Sequence, residues 1–355
     1  MSAVIDRVLE APPPAPGSWR RPGIEKAAPA SVFARPAEGF WRTGALAGAG
    51  WVALGLLTVY WPNKAVGFSD WAYTDEFGIA AIAIGAVLLL VALLGARAGR
   101  VARTLRPAGP WLVALPVLFA LWEIATAKLA LLPTPFFAPP QALIEVYVDD
   151  WRRLGDSVVN TIRLLGLGVA YGGVAGFLIG VSIGWSRRIG YWVHPVLRVL
   201  GPLPSTALLP LTFYFFPSSY SAAVFLIALA TAFPVAVLTW SGVASVNKSY
   251  YDVARTLGAS SWFLVLRVAI PAALPQVFVG LFMGLGASFS VLVTAEMMGV
   301  KSGLGWYLTW AQGWASYVNM YAALIVMALL FSSVITLLFA VRDRALSWQK
   351  GTVKW

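Results

Sequence analysis

The chain has 355 residues, 59% of them hydrophobic and only 12% charged, with a mean hydropathy of +0.76. A soluble domain carries about 25% charged residues, so too little polar surface is available to coat a soluble globule. The formal net charge of +11 fits a membrane protein that keeps Lys and Arg in its cytoplasmic loops better than a nucleic-acid binder. Cysteine is absent, which excludes disulfides and thiolate metal sites. His194 is the single histidine and no G-x-x-x-x-G-K-[ST] phosphate loop occurs, so multi-histidine metal chemistry and nucleotide hydrolysis are excluded from this chain.

Residues 1–41 hold Pro12, Pro13, Pro14, Pro16, Pro22, Pro29 and Pro36 without apolar periodicity, and read as a disordered cytoplasmic tail. No apolar core with a small-residue cleavage site occurs in this stretch, so a cleaved signal peptide is not expected. Apolar segments then follow at roughly 43–61, 77–95, 111–128, 158–185, 195–216, 220–241, 274–298 and 319–340. Each is near the ~20 residues a helix needs to cross ~30 Å of hydrocarbon. Because a lipid-exposed backbone must satisfy its own hydrogen bonds, an all-α integral membrane protein of about eight spans is expected. Prolines inside the runs (Pro116, Pro202, Pro204, Pro210, Pro234) predict kinks or breaks.

Basic residues set the orientation. Arg97, Arg100, Arg103 and Arg106 stand between spans two and three, Arg187 and Arg188 after span four, Lys248, Arg255 and Arg267 between spans six and seven, and Arg342, Arg344, Lys350 and Lys354 after span eight. The alternate loops carry Asp70, Asp75 and Glu76, then Glu145, Asp149 and Asp150. Both termini are therefore expected in the cytoplasm, with Arg152 and Arg153 as exceptions on the outer side. Span four carries Gly168, Gly172, Gly176, Gly180 and Gly184, a glycine at every fourth residue. Such a ridge lets another helix approach closely, either within the subunit or at a dimer or gating interface.

The interruption between spans six and seven, Ser249 to Pro271, carries the most information. Ser249 can cap a short helix with Asp252 in its first turn and Arg255 towards its end, and Gly258 is placed to terminate it. Ser260 or Ser261 can cap a second, more apolar helix that ends before Pro271. The result is either an ordinary interfacial loop or a hook that seats in a groove of a partner protein.

This segment resembles the EAA loop of ABC importer permeases, E-A-A, three residues, G, nine residues, I-x-L-P. Asp252-Val253-Ala254 stands at the E-A-A positions, Gly258 at the glycine, and Val268-Ala269-Ile270-Pro271 at I-x-L-P, with the spacing intact. Asp replaces Glu, Val replaces Ala, Val replaces Ile and Ile replaces Leu. Leu132-Pro-Thr-Pro-Phe-Phe-Ala-Pro-Pro140 is similar to the Pro-rich outer segment of nitrate/sulfonate/taurine-type permeases. Thr294-Ala-Glu-Met-Met-Gly299 with Ser302-Gly-Leu-Gly-Trp306 is similar to their A-E-M-x-G and S-G-L-G segments.

The resemblance covers 111–345 and implies a six-helix type I importer core, with the EAA coupling loop at 242–273 and a cytoplasmic tail at 346–355. The two spans in 42–110 are an addition to that core. The resemblance further implies a bacterial inner-membrane permease that pairs with a second permease copy, as a homodimer. Its partners would be two cytoplasmic ATPase subunits, which bind ATP and magnesium, and a periplasmic or lipoprotein substrate-binding protein. In this chain no cofactor, catalytic residue or nucleic-acid partner is expected. The implied solute is a small anion such as nitrate, taurine or an alkanesulfonate. Bicarbonate or a vitamin precursor is the alternative, and a secondary transporter, a membrane enzyme or a scaffold are the rival classes.

The coupling residues are Asp252, Ala254, Arg255, Gly258 and Pro271. Glu296, late in span seven, is the candidate pathway or gate residue. A buried carboxylate is costly unless paired, so it is expected to pair with Arg163, to cap backbone amides in the Gly299-to-Gly305 turn, or to shape an aqueous outer gate.

Overall fold

A computed structural model describes residues 40–64, 71–133, 135–201 and 203–349. The proline-rich tail, apart from 40 and 41, lies outside the described residues, as do Asp70, Thr134, Pro202 and 350–355. Every regular element among the described residues is helical. The helices are α1 (Arg42–Tyr60), α2 (Thr74–Leu94), α3 (Gly99–Lys128), α4 (Pro140–Asp149), α5 (Trp151–Trp185), α6 (Arg187–Leu200), α7 (Leu209–Phe215), α8 (Ser219–Ala244), α9 (Lys248–Thr256), α10 (Ser261–Met298), α11 (Leu304–Gly313) and α12 (Tyr317–Ala345).

Among the described residues seven helices are long and apolar enough to cross a membrane. The apolar run at 195–216 is not one straight span. It folds as α6 and the stretch Ser205–Phe215, which meet at 86°. Counting that bent pair as one gives eight spans. Proline shapes the break: Pro204, in extended conformation, caps the start of the second arm, and Pro210 stands in the first turn of α7, where its missing N–H costs no hydrogen bond. Pro116, Pro195, Pro234 and Pro275 are accommodated inside helices.

Chain contacts divide the molecule into two compact units, 40–56 with 79–118 and 57–78 with 119–349. In the first, α1 and α2 cross where Gly48 meets Gly85. A Cβ at Gly48 would stand 2.8 Å from the Gly85 carbonyl, and one at Gly85 2.7 Å from the Gly48 carbonyl. Trp41, Val91, Ala92 and Ala102 close a small core beside that crossing.

In the second unit α8 lies between α5 and α10. The five glycines of α5 all face α8. A Cβ at Gly176 would lie 2.5 Å from the Ala232 carbonyl oxygen, at Gly180 2.6 Å from that of Ala236, and at Gly184 2.6 Å from Val243 Cβ. At Gly168 and Gly172 it would collide with Ile227 and with the Ala228 carbonyl. On the other face of α8, Gly280 and Gly284 of α10 sit against Val235 and Thr231. The buried Thr231 and Ser288 hydroxyls join α8 to α10 at 2.6 Å, an interhelical hydrogen bond of the kind bilayer-embedded helices use as glue. Leu164, Leu226, Ile227 and Leu292 fill the remaining space. Helix α12, by contrast, buries only Ala322, Ala323 and Met327 among its described residues.

Gly176→Val should lower the stability of the detergent-solubilised protein by about 1–3 kcal/mol or more, the range for overpacking. Gly166→Ala, on the same helix with nothing within 4 Å of its would-be Cβ, should leave stability unchanged or slightly raised. Thermal unfolding of the two variants checks this; equal midpoints would remove the glycine contacts from the account of the core.

Candidate functional site: a hook and a clamp on one long helix

The hook begins at Asn247, whose side-chain oxygen accepts the Ser249 N–H at 3.0 Å. The cap is thus Asn247 and not Ser249, since the chain reaches helical dihedrals at Lys248, two residues earlier than Ser249 capping requires. Helix α9 ends in a Schellman turn. The Ala259 N–H reaches back to the Ala254 carbonyl (3.0 Å) and the Gly258 N–H to that of Arg255 (2.9 Å). Gly258 sits at φ +83, in the left-handed region where a side chain is penalised. Ser260 then caps the next helix, accepting the Phe263 N–H at 3.3 Å.

That second helix does not stop before Pro271. It passes through a π-helical turn at Leu264–Ala269 and continues as the membrane helix, so that Ser261–Met298 is one 38-residue element. The wider i→i+5 turn absorbs a proline that cannot donate to the ladder. The hook is therefore one free helix, one glycine pivot and the leading end of α10.

Its outer surface is exposed and apolar: Tyr250, Val253, Leu257 and Trp262 are 65%, 60%, 83% and 75% exposed. Asp252 and Arg255 pair loosely at 3.8 Å in solvent. Tyr251 turns inward against Trp185, and burial pushes its phenol above the usual range. His194 packs on Trp240, ring centroids 4.3 Å apart.

At the other end of α10, Glu296 is 1% exposed. Its Oε1 accepts the Thr161 hydroxyl at 2.8 Å and its Oε2 accepts the Gly305 N–H at 2.8 Å. Thr161 Oγ1 in turn accepts the Leu304 N–H at 2.8 Å. Two of the orphan N–H groups at the start of α11 are thereby satisfied, and a carboxylate sits at the positive end of the helix. Gly303 (φ +116) leaves room for the carboxyl group, which a Cβ there would strike. Arg163 is not the partner: it lies on the exposed face of α5. Thr161, which sequence reasoning missed, stands one heptad before Gly168 on the buried ridge of α5.

The same end of the unit carries a second polar cluster. Tyr307 donates to Asp150 at 2.7 Å and accepts from Asn319 at 2.6 Å. Burial, and then the Asp150 carboxylate, push the Tyr307 phenol above its usual range. Arg153 pairs with Asp150 at 3.7 Å and lies over the Trp310 ring at 4.1 Å. Nearby in sequence, Lys128 is buried with Glu123 at 3.5 Å and donates to the Thr58 and Trp61 carbonyls and Asn63 Oδ1 at 2.8, 2.6 and 2.7 Å. Glu123 also accepts from Gln141.

Midway along, a cavity of about 470 Å³ opens under the bend between α6 and α7. Leu200, Leu208, Phe233 and Val291 give it apolar walls, and Ser205, Thr206 and Ser290 bring hydroxyls. Pro234 lines it too and cannot donate to the Ala230 carbonyl.

A bundle of membrane-length helices with a broken span, a cavity at the break and an exposed hook on one of its helices defines a polytopic transport subunit. Residues 172–347 match the family described as binding-protein-dependent transport system inner membrane component. The taurine transport system permease protein TauC of Escherichia coli is 32% identical over 54% of this chain and 72% of its own length. The nitrate import permease protein NrtB of Synechococcus elongatus is 28% identical over 58% and 76%, and the putative aliphatic sulfonates transport permease protein SsuC of Bacillus subtilis 27% over 66% and 86%. The chain belongs to the binding-protein-dependent inner membrane components, the permeases of ABC transporters. The resemblance carried by Asp252 to Pro271 and by Glu296 to Gly305 is thereby borne out.

Thr161→Val should strand the Leu304 N–H and one Glu296 oxygen, at about 1–3 kcal/mol for each buried group left unmade, whereas Thr161→Ser should cost far less. Glu296→Ala should be worse than Glu296→Gln, which keeps one acceptor. Thermal unfolding of the purified variants gives the order; Thr161→Val as stable as the parent would dismiss the clamp.

Proposed function

We propose that this chain is the membrane subunit through which an ATP-driven importer passes a small anionic solute handed over by a binding protein. The observation that carries the reading is the hook. Its EAA spacing is folded around a glycine pivot, its apolar side chains face outward without partners among the described residues, and it is covalently continuous with a membrane helix. Such a surface suits the groove of a cytoplasmic ATPase, two copies of which would bind ATP and magnesium. Closure of the ATPases would then move α10 and switch the pathway between two states. A second permease copy completes the pore in this reading, and the exposed α12 offers apolar surface for that copy or for lipid.

The 42–110 spans are an addition to the importer core at 111–345. The cavity under the α6–α7 bend is lined by hydroxyls and apolar groups and by no carboxylate, so it does not repel an anion. Nitrate, a sulfonate and taurine appear in the names of the relatives, which supports a small oxyanion or sulfonate as solute ahead of bicarbonate or a vitamin precursor. Glu296, with both oxygens committed, would act on the pathway through the seating of α11. Loop charges support a reading with both termini and the hook in the cytoplasm of a bacterial inner membrane.

Gly258→Asp and Asp252→Lys should each abolish uptake in cells while the permease still inserts, and binding-protein-stimulated ATP hydrolysis should fall with it. Normal uptake by both variants would sink the hook reading. For orientation, single cysteines introduced at Glu145 and at Arg103 should differ: an impermeant thiol reagent added to spheroplasts should modify the first and spare the second. The reverse pattern would invert the topology.

A further inference from the structure

On its inner side the hook encloses a second cavity, of about 420 Å³. Its walls come from three places in the chain: Trp185 and Arg187 at the α5–α6 junction, the end of α8, and Lys248, Tyr251 and Arg255 of α9. Asp252 is the only carboxylate on this lining, and its 3.8 Å contact with Arg255 is made between side chains 70% and 62% exposed, where ion pairs are weak. Among the described residues neither Arg187 nor Lys248 has a carboxylate within 4 Å. The fold thus gathers three cations from two helices around a space that offers them a single, loosely held counter-charge.

We infer that this cavity binds a phosphate group, supplied by the headgroup of an anionic phospholipid. The phosphate would lie between Arg187 and Lys248, with the Tyr251 hydroxyl as a further donor, and would tie the hook to the membrane end of α5. The choice of a lipid over free phosphate follows from α6. This helix starts at Arg187, is strongly amphipathic, carries Arg188 and Arg198, and exposes Tyr191 and Trp192 at 73% and 75%. Basic and aromatic residues gathered in the first turns of a membrane helix, here Arg187, Arg188, Tyr191 and Trp192, are the signature of an end at headgroup depth, and cytoplasmic leaflets supply anionic lipid to such basic pockets. The inference rests on the cytoplasmic placement of the hook proposed above.

The test uses the full-length chain in nanodiscs of phosphatidylcholine alone or of equal parts phosphatidylcholine and phosphatidylglycerol, with retained lipid counted by native mass spectrometry. The parent chain should hold phosphatidylglycerol. Arg187→Gln and Lys248→Gln should each weaken retention about fivefold and the pair roughly 25-fold, at about one such factor per basic residue near the surface. Arg187→Lys should retain most of the binding, which a folding defect would not spare. Arg188→Gln, on the same helix but off the cavity, should weaken retention clearly less than Arg187→Gln.

Equal retention by the parent and the double variant overturns the site. Inorganic phosphate binding in phosphatidylcholine discs, with the same dependence on Arg187 and Lys248, overturns the lipid as source. Displacement of the lipid by an added ATPase subunit assigns the cations to that partner instead and overturns the proposal. Retention is read without transport or hydrolysis. A chain that keeps the lipid but never couples to an ATPase therefore refutes the importer reading alone, and one that couples without keeping it refutes only the lipid site.

Discussion

Lipid tails are as apolar as leucine, so helices in a bilayer gain little by hiding apolar side chains from it and are held by close backbone approach and hydrogen bonds instead. The slab formed by α5, α8 and α10 is built on that constraint. Five glycines on α5 and two on α10 remove the side chains that would keep α8 away, and the carbonyls of Ala228, Ala232 and Ala236 fill the space they leave. The Ser288 hydroxyl, bonded to the Thr231 hydroxyl and to the Ile227 carbonyl, fixes the rotation of α8 against α10. The bend between α6 and α7, the hook and the clamp are all attached to this slab, so their relative positions depend on it.

Most buried polar groups here meet the complementary constraint, a partner where water cannot reach, although Glu123 Oε2, Gln141 Oε1 and Thr239 Oγ1 have no hydrogen bond among the described residues. Glu296 solves it with Thr161 and Gly305, Lys128 with two carbonyls, Asn63 and Glu123, and Tyr307 with Asp150 and Asn319. In each case at least one partner comes from a distant part of the chain: Thr161 for Glu296, Thr58 for Lys128 and Asp150 for Tyr307. The polar groups therefore specify which loop end meets which helix end, whereas the glycine contacts specify only how near two helices come.

Much of this was legible in the sequence because it depends on local pattern. Helix existence followed from the length of apolar runs, and the pivot from Gly258 between two capped segments. What was not legible depended on contacts between segments far apart. The A-E-M and S-G-L-G stretches were expected to meet through a Glu296 cap on the Gly299-to-Gly305 turn, and the Gly305 N–H makes it, but the whole clamp was not expected. Its third member, Thr161, is more than a hundred residues earlier and had no mark except its place on the glycine face. Arg153 looked misplaced on charge counting alone, but Asp150 and the Trp310 ring account for it. The prolines of the 195–216 run predicted a kink or break, but not that it would turn by 86°. The second hook helix was ended too early because proline was read as a stop, where a π-helical turn lets the ladder pass.

That last difference bears on mechanism. Were the hook two helices on a flexible tether, motion at its surface would dissipate in the loop. Instead only the Gly258 pivot separates α9 from a 38-residue element, about 57 Å long at 1.5 Å per residue. Along that element lie, in order, the exposed Trp262, the Ser290 and Val291 wall of the cavity, and Glu296 in the clamp. A packed helix moves as a body because interfaces switch between discrete arrangements and do not stretch. Displacement of its hook end must then shift the cavity wall and strain or reseat α11 at the far end. The π-helical turn at Leu264–Ala269, with Pro271 and Pro275 following it, is where the ladder is loosened near the hook, and so where the hook could yield without moving the rest. In the proposed importer, coupling through α10 would depend on how stiff that turn is, and the residues that pack it, Leu264, Val265 and Ala269, are all buried.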